Sequence, residues 1–152
     1  MNKYTVEQLH DNYDLIPTCN GVYYIEIPDK FIVEILDTTT APQVYKNKTT
    51  LKDKTELINK FKNGNKKLIY IGKAECSNGL RKRISDLIKW GYNESVKFRE
   101  DHYGGRVIWQ IKDNKCLLIY WSEDENAQEK EHRELIDYKE KYGVYPLGNW
   151  KS

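Results

Sequence analysis

The sequence predicts an α+β fold in which a small central sheet, largely antiparallel or mixed, is flanked by helices. Two observations point there. The chain has 152 residues, 39% of them hydrophobic and 32% charged, the size and balance of one compact domain spanning residues 1–152. Its strand-like runs mostly follow one another through hairpin turns, with helices between them.

The elements are read in chain order. Thr5 followed by Gln8 is a capping-box pattern and predicts a short helix to Asp11. Val22–Ile27 and Phe31–Leu36 are rich in β-branched and aromatic residues around Pro28-Asp29-Lys30, which predicts a hairpin. The threonine-rich stretch from Asp37 to Thr50 reads as a loop, and Leu51–Lys62 as a helix stopped by Asn63-Gly64. A strand over Lys67–Ile71 and a helix over Gly79–Trp90 follow. Arg106–Ile111 and Lys115–Trp121 flank Asp113-Asn114 as a second hairpin. Ser122 with Glu125 opens a last helix running to Tyr142 and closed by Gly143.

The longest apolar runs fall well short of the roughly 20 residues that a bilayer crossing needs. No secretory h-region is visible near Met1, so a cytoplasmic protein without membrane contact is expected. Cys19, Cys76 and Cys116 show no CxxC spacing and read as reduced, partly buried thiols. The formal net charge is only +2, yet the stretch from Lys60 to Arg106 carries twelve basic residues against five acidic ones. That stretch can follow a phosphate backbone or form an ordinary solvated surface.

Two helices depart from a plain amphipathic pattern. On the helix from Gly79, Leu80, Ile84, Leu87 and Ile88 share one stripe, Lys82 points to solvent, and Arg83 projects from the stripe's edge. Arg83 is there either as a pocket-rim cation or as a side chain snorkelling over the core. On the last helix Glu131 falls among Ala127, Leu135, Tyr138 and Tyr142, where a core residue belongs. An unpaired carboxylate in a dry interior is costly, so Glu131 must meet a cation, a metal, a wet cleft, or a salt-bridge partner such as Arg83 or Lys73.

The strand beginning Gly21-Val22-Tyr23 and the later Tyr70-Ile71-Gly72 resemble the two halves of the signature of the GIY-YIG endonuclease superfamily. Tyr70-Ile71-Gly72-Lys73-Ala74 followed by Leu80-Arg81-Lys82-Arg83-Ile84 resembles its strand-to-helix passage. Ala127–Ile136 is similar to the helix bearing the family's metal-binding glutamate, and Pro146-Leu147-Gly148-Asn149 to the stretch ending in its asparagine. His102-Tyr103-Gly104-Gly105-Arg106 with Trp109-Gln110 is similar to a bacterial subgroup of the superfamily. Against the family pattern, residues 28–66 read as an insertion between the signature strands, where it can serve as a recognition element. The acid is placed at Glu131 rather than at His132 because Glu131 is on the buried face.

The resemblance implies a metal-dependent endonuclease hydrolysing DNA with one Mg2+ or Mn2+ per active site. Tyr70 or Tyr23 would accept the proton of the attacking water, with Lys73 depressing the phenol. Arg83 would stabilise charge on the phosphate, Glu131 would hold the metal, and Asn149 would contact phosphate or a metal-bound water. DNA contacts are expected from Arg81, Lys82, Lys89, His102 and Arg106, with Trp90, Tyr92 and Trp109 as possible stacking surfaces. A homodimer or a separate specificity subunit would supply what one short domain lacks. The alternatives are a nuclease-inactive nucleic-acid-binding module and a protein-interaction domain on the same fold.

Overall fold

The computed structural model describes residues 1–45, 47–94 and 104–151. In chain order the strands are β1 (Tyr4–Thr5), β2 (Gly21–Glu26), β3 (Val44–Tyr45), β4 (Lys48–Thr49), β5 (Leu68–Ala74) and β6 (Leu118–Glu123). The helices are α1 (Val6–Asp11), α2 (Lys54–Asn63), α3 (Gly79–Gly91) and α4 (Ala127–Tyr142). The central sheet has the order β1-β6-β2-β5 with all three pairings antiparallel, and β3 and β4 form a separate two-stranded ribbon. The fold is therefore α+β with an antiparallel sheet flanked by helices. Among the described residues, no helix is long and apolar enough to cross a membrane.

Each face of the sheet buries different helices. On one side Tyr23, Ile25, Tyr70 and Ile119 pack with Val6 and Leu9 of α1 and with Leu80, Ile84, Leu87 and Ile88 of α3. On the other, Val22, Tyr24 and Ile71 pack with Ala127 and Leu135 of α4. Strand side chains alternate between the faces, so β2, whose six residues are all buried, is covered from both sides.

Local signals set several boundaries. The capping box at Thr5 and Gln8 is formed in both directions, and Asp53 caps α2 through the Glu56 amide at 3.0 Å. α2 ends at Gly64, and α4 ends at Gly143 with the positive φ of 77° that glycine tolerates. α4 starts at Ala127 rather than at Ser122, because β6 extends through Ser122 and Glu123 in register with Val22 and Gly21.

Both expected hairpins are replaced by other structure. β2 pairs with β5 on one flank and β6 on the other, which leaves no room beside it for Phe31–Leu36. That segment keeps its alternation, with Ile35 buried and Ile32 88% exposed, but its partner is a single bridge from Ile35 to Ile111. Residues Gly104–Gln110 form a 3-10 helix rather than a strand, and Arg106 to Gln110 are buried without a break, which is not the half-exposed pattern of a surface strand. Cys19 and Cys76 are half-buried as expected, whereas Cys116 is exposed.

The segment between β2 and β5 is tied into the fold. Leu57 of α2 is fully buried, and Gln110 accepts from the Lys52 amide and donates to the Lys52 carbonyl. Lys60 donates to the carbonyls of Leu147 and Asn149. The C-terminal stretch thus held lies along β5. The Gly148 amide donates to the Ile69 carbonyl at 2.7 Å, the Asn149 Oδ1 accepts from the Ile71 amide at 3.0 Å, and Asn149 Nδ2 donates to the Ile71 carbonyl at 2.8 Å. Replacing Asn149 with Ala removes both side-chain bonds and leaves two buried backbone groups unpaired. It should cost about 2–4 kcal/mol in denaturant unfolding, with faster hydrogen exchange at the Ile71 amide; a loss below 0.5 kcal/mol would contradict this account.

Candidate active site

The register of β2 on β5 assembles the tyrosine pair. Tyr23 faces Gly72 and Ile25 faces Tyr70, so both tyrosines lie on the α3 side of the sheet. Between Ile25 and Glu26 the pairing shifts by one residue, a bulge that places both Ile69 and Tyr70 on that side. The rings of Tyr23 and Tyr70 are 5.9 Å apart between centroids and inclined by 51°. Gly72 and Gly21 have a steric reason. A Cβ on Gly72 would stand 2.4 Å from Tyr23 Cζ, and one on Gly21 would stand 2.4 Å from the Ser122 carbonyl oxygen.

α3 supplies the cation. Its stripe of Leu80, Ile84, Leu87 and Ile88 is buried as the periodicity predicts, and Arg83 is half-buried at the stripe's edge. Burial pushes the Tyr23 hydroxyl above the usual phenol range; Arg83 and the Tyr70 hydroxyl act in the opposite direction, and Glu131 adds to the rise. Tyr70 is pushed well above that range, again chiefly by burial, and then by Tyr23.

Glu131 comes from α4 on the other face. Because β5 is an edge strand, groups from the two faces can act on each other around its rim, and Glu131 raises both tyrosines. Ala127, Leu135 and Tyr138 of the predicted face are buried, whereas Glu131 is half-buried and opens on a cleft of about 510 Å³ that Lys73, Glu75 and His132 also line. Burial holds the Glu131 carboxyl above the ordinary carboxylate range, Lys73 and Arg83 oppose that shift, and Glu75 reinforces it.

Lys73 does not play the part expected of it toward Tyr70. Three residues along a strand bring side chains to opposite faces, so Lys73 turns to the α4 side and acts on Glu131. Glu75 went unnoticed in the sequence. Its Oε1 accepts from the Gln128 amide at 2.8 Å, capping the N-terminus of α4, where Asn126 makes no side-chain cap. Its even spacing from Lys73, at the end of a strand, was the available signal.

The remaining expected residues are dispersed. Asn149 is 6% exposed and its amide is spent on Ile71. Arg81 donates through Nε to the Ile16 carbonyl at 2.8 Å and lies 3.6 Å from Asp14. Lys82 pairs with Asp86 at 3.1 Å on the exposed side of α3, and Lys89 sits 5.3 Å over the Tyr13 ring. Arg106 is 7% exposed with its guanidinium 5.4 Å from the Trp90 ring centroid, an interior position that does not suit a DNA contact. Trp90 and Trp109 are buried and offer no stacking surface. Tyr92 is stacked on His10 at 3.7 Å. His102 lies outside the described residues.

No protein-family model, curated protein or solved structure matches the chain. Tyr23 and Tyr70 meet in the core, Arg83 stands at the margin of the helix stripe packed on their face, and Lys73 and Glu131 line the cleft.

Two substitutions test that geometry. Gly72→Ala should displace the buried Tyr23 ring at a cost of about 1–3 kcal/mol, read from denaturant midpoints. Glu131→Gln should raise the melting temperature at pH 7. A carboxyl whose folded pKa is raised binds more protons folded than unfolded, so stability falls as pH climbs from the unfolded value through the folded one. The gain from Gln should therefore shrink as pH falls from neutrality and be gone once pH is below about 4, the unperturbed range. A lower melting temperature for this variant at pH 7 would mean that the attraction of Lys73 and Arg83 outweighs desolvation.

Proposed function

We propose that the protein is a metal-dependent endonuclease that hydrolyses phosphodiester bonds in DNA, with the resemblance to the GIY-YIG superfamily and the electrostatic coupling of Tyr23, Tyr70, Arg83 and Glu131 as its support. The observation that carries the reading is Glu131, a carboxylate kept half-buried on a face of α4 that otherwise serves the core, yet lining an open cleft beside Lys73. A side chain that burial disfavours in its charged form is retained where a cation can reach it.

The donor set suits a hydrated Mg2+ or Mn2+ better than a caged ion. Among the described residues no three His, Cys, Asp or Glu side chains converge, and Mg2+ takes one or two carboxylates while keeping water and substrate phosphate oxygens. Glu131 would hold it, and when bound it supplies positive charge next to the leaving oxygen. Arg83 stabilises negative charge gathering on the phosphorus-bound oxygens, and Lys73, on the cleft wall, attracts the backbone. The tyrosine pair orients the attacking water and takes its proton. One such site cuts one strand at a time, so a double-strand break requires a second copy or a second event.

Arg83→Ala and Glu131→Gln should each lower nicking of plasmid DNA in Mg2+ by at least about 100-fold while leaving the fold intact by circular dichroism. Since burial keeps both phenols protonated, the rate should climb about tenfold per pH unit, without a plateau below pH 9. A plateau near neutrality would remove the tyrosines from the proton transfer. A second reading, a nuclease-inactive nucleic-acid-binding module, is favoured by the burial of the two tyrosines, 0% and 7% exposed. Binding without cleavage across divalent metals would select it.

A further inference from the structure

A second basic feature lies away from the cleft, where α2 meets the C-terminal stretch. Lys60 sits 3.5 Å over the Trp150 ring and Lys52 5.0 Å over the same ring. Lys139, on the last turn of α4, is 5.1 Å over Tyr145. These ammonium groups feel one another: Lys60 is lowered to about 8, chiefly by burial, with Glu56 opposing the shift and Lys52 and Lys139 adding to it. Lys52 and Lys139 are exposed, whereas Lys60 is half-buried and committed to the Leu147 and Asn149 carbonyls.

A stable fold gains little by crowding like charges over aromatic faces. A polyanion gains from it, since lysines alternating with rings offer phosphate contacts and flat apolar surface together. Placement adds a constraint. Lys139 is eight residues beyond Glu131, about 12 Å along the helix axis, or three to four steps of duplex DNA at about 3.4 Å each. Lys139 and the cleft thus lie along the same helix, at a spacing that one nucleic-acid strand can bridge, while Lys60 of α2 and Lys52 just before it flank Trp150.

We propose that Lys52 and Lys139, set over Trp150 and Tyr145, form a backbone clamp that grips DNA phosphates three to four nucleotides from the cleft, with Lys60 holding the C-terminal stretch that carries the Trp150 ring. The proposal rests on the nuclease reading for its substrate but not for its test. Binding of a short fluorescein-labelled DNA duplex is measured in EDTA, where no cleavage occurs, over a series of salt concentrations. The double variant Lys52→Gln, Lys139→Gln should flatten the slope of log affinity against log salt by about 1.8 and weaken binding at 0.1 M salt by roughly tenfold or more. Lys52→Arg with Lys139→Arg keeps both charges and should preserve slope and affinity, which a purely structural role for lysine would not. An unchanged slope in the Gln variant, or no salt-dependent binding by the wild type, overturns the clamp. Loss of cleavage in Glu131→Gln with an intact slope leaves both proposals standing. Full cleavage by Glu131→Gln with an intact wild-type slope overturns the nuclease reading alone.

Discussion

The antiparallel register between Gly21–Glu26 and Leu68–Ala74 is the constraint on which the rest of the molecule depends. It sets Tyr23 over Gly72, keeps Tyr70 opposite Ile25 on the same face by plain alternation, and turns Lys73 to the opposite face. Slipping it by one residue would exchange the two faces of β5, moving both the tyrosine and the lysine to the wrong helix. The missing side chain at Gly72 is as much a part of this register as any hydrogen bond, since the space it leaves is filled by an aromatic ring.

Around that pair, the helices contribute opposite charges from opposite sides. α3 packs its apolar stripe against one face and leaves Arg83 at the margin, while α4 packs Ala127 and Leu135 against the other and leaves Glu131 facing the cleft. The edge position of β5 lets these charges influence the same hydroxyls. Glu75 links strand to helix by capping α4, so the wall carrying Glu131 is referenced to the strand carrying Tyr70. The Tyr23 and Tyr70 rings belong to the core and are explained by burial, whereas the desolvated carboxyl of Glu131 and the guanidinium of Arg83 at the core margin are not.

The helices and the α+β class were legible because their signals are local: the Thr5–Gln8 box, the Gly64 and Gly143 stops, and the stripes on α3 and α4 all lie within a few residues of one another. The two hairpins were misread because pairing is a long-range competition. Phe31–Leu36 has a strand's alternation, but β5 and β6 take both flanks of β2. Arg83 and Glu131 could be singled out by periodicity alone, since a polar side chain in an apolar stripe is visible without a fold. Asn149 and Lys73 could not be assigned in the same way. The first is recruited by a strand 78 residues earlier, and the second depends on strand parity, which a motif conceals.

The docking of Gly148 and Asn149 along β5 has a bearing on how copies of this chain can meet. A side-chain amide that mimics a peptide group, set against Ile71, closes the middle of a sheet margin that would otherwise be open to another strand. Self-association by sheet extension, and the templated polymerisation that exposed margins invite, are thereby blocked at the rim nearest the cleft. The far margin is formed by β1, two residues long.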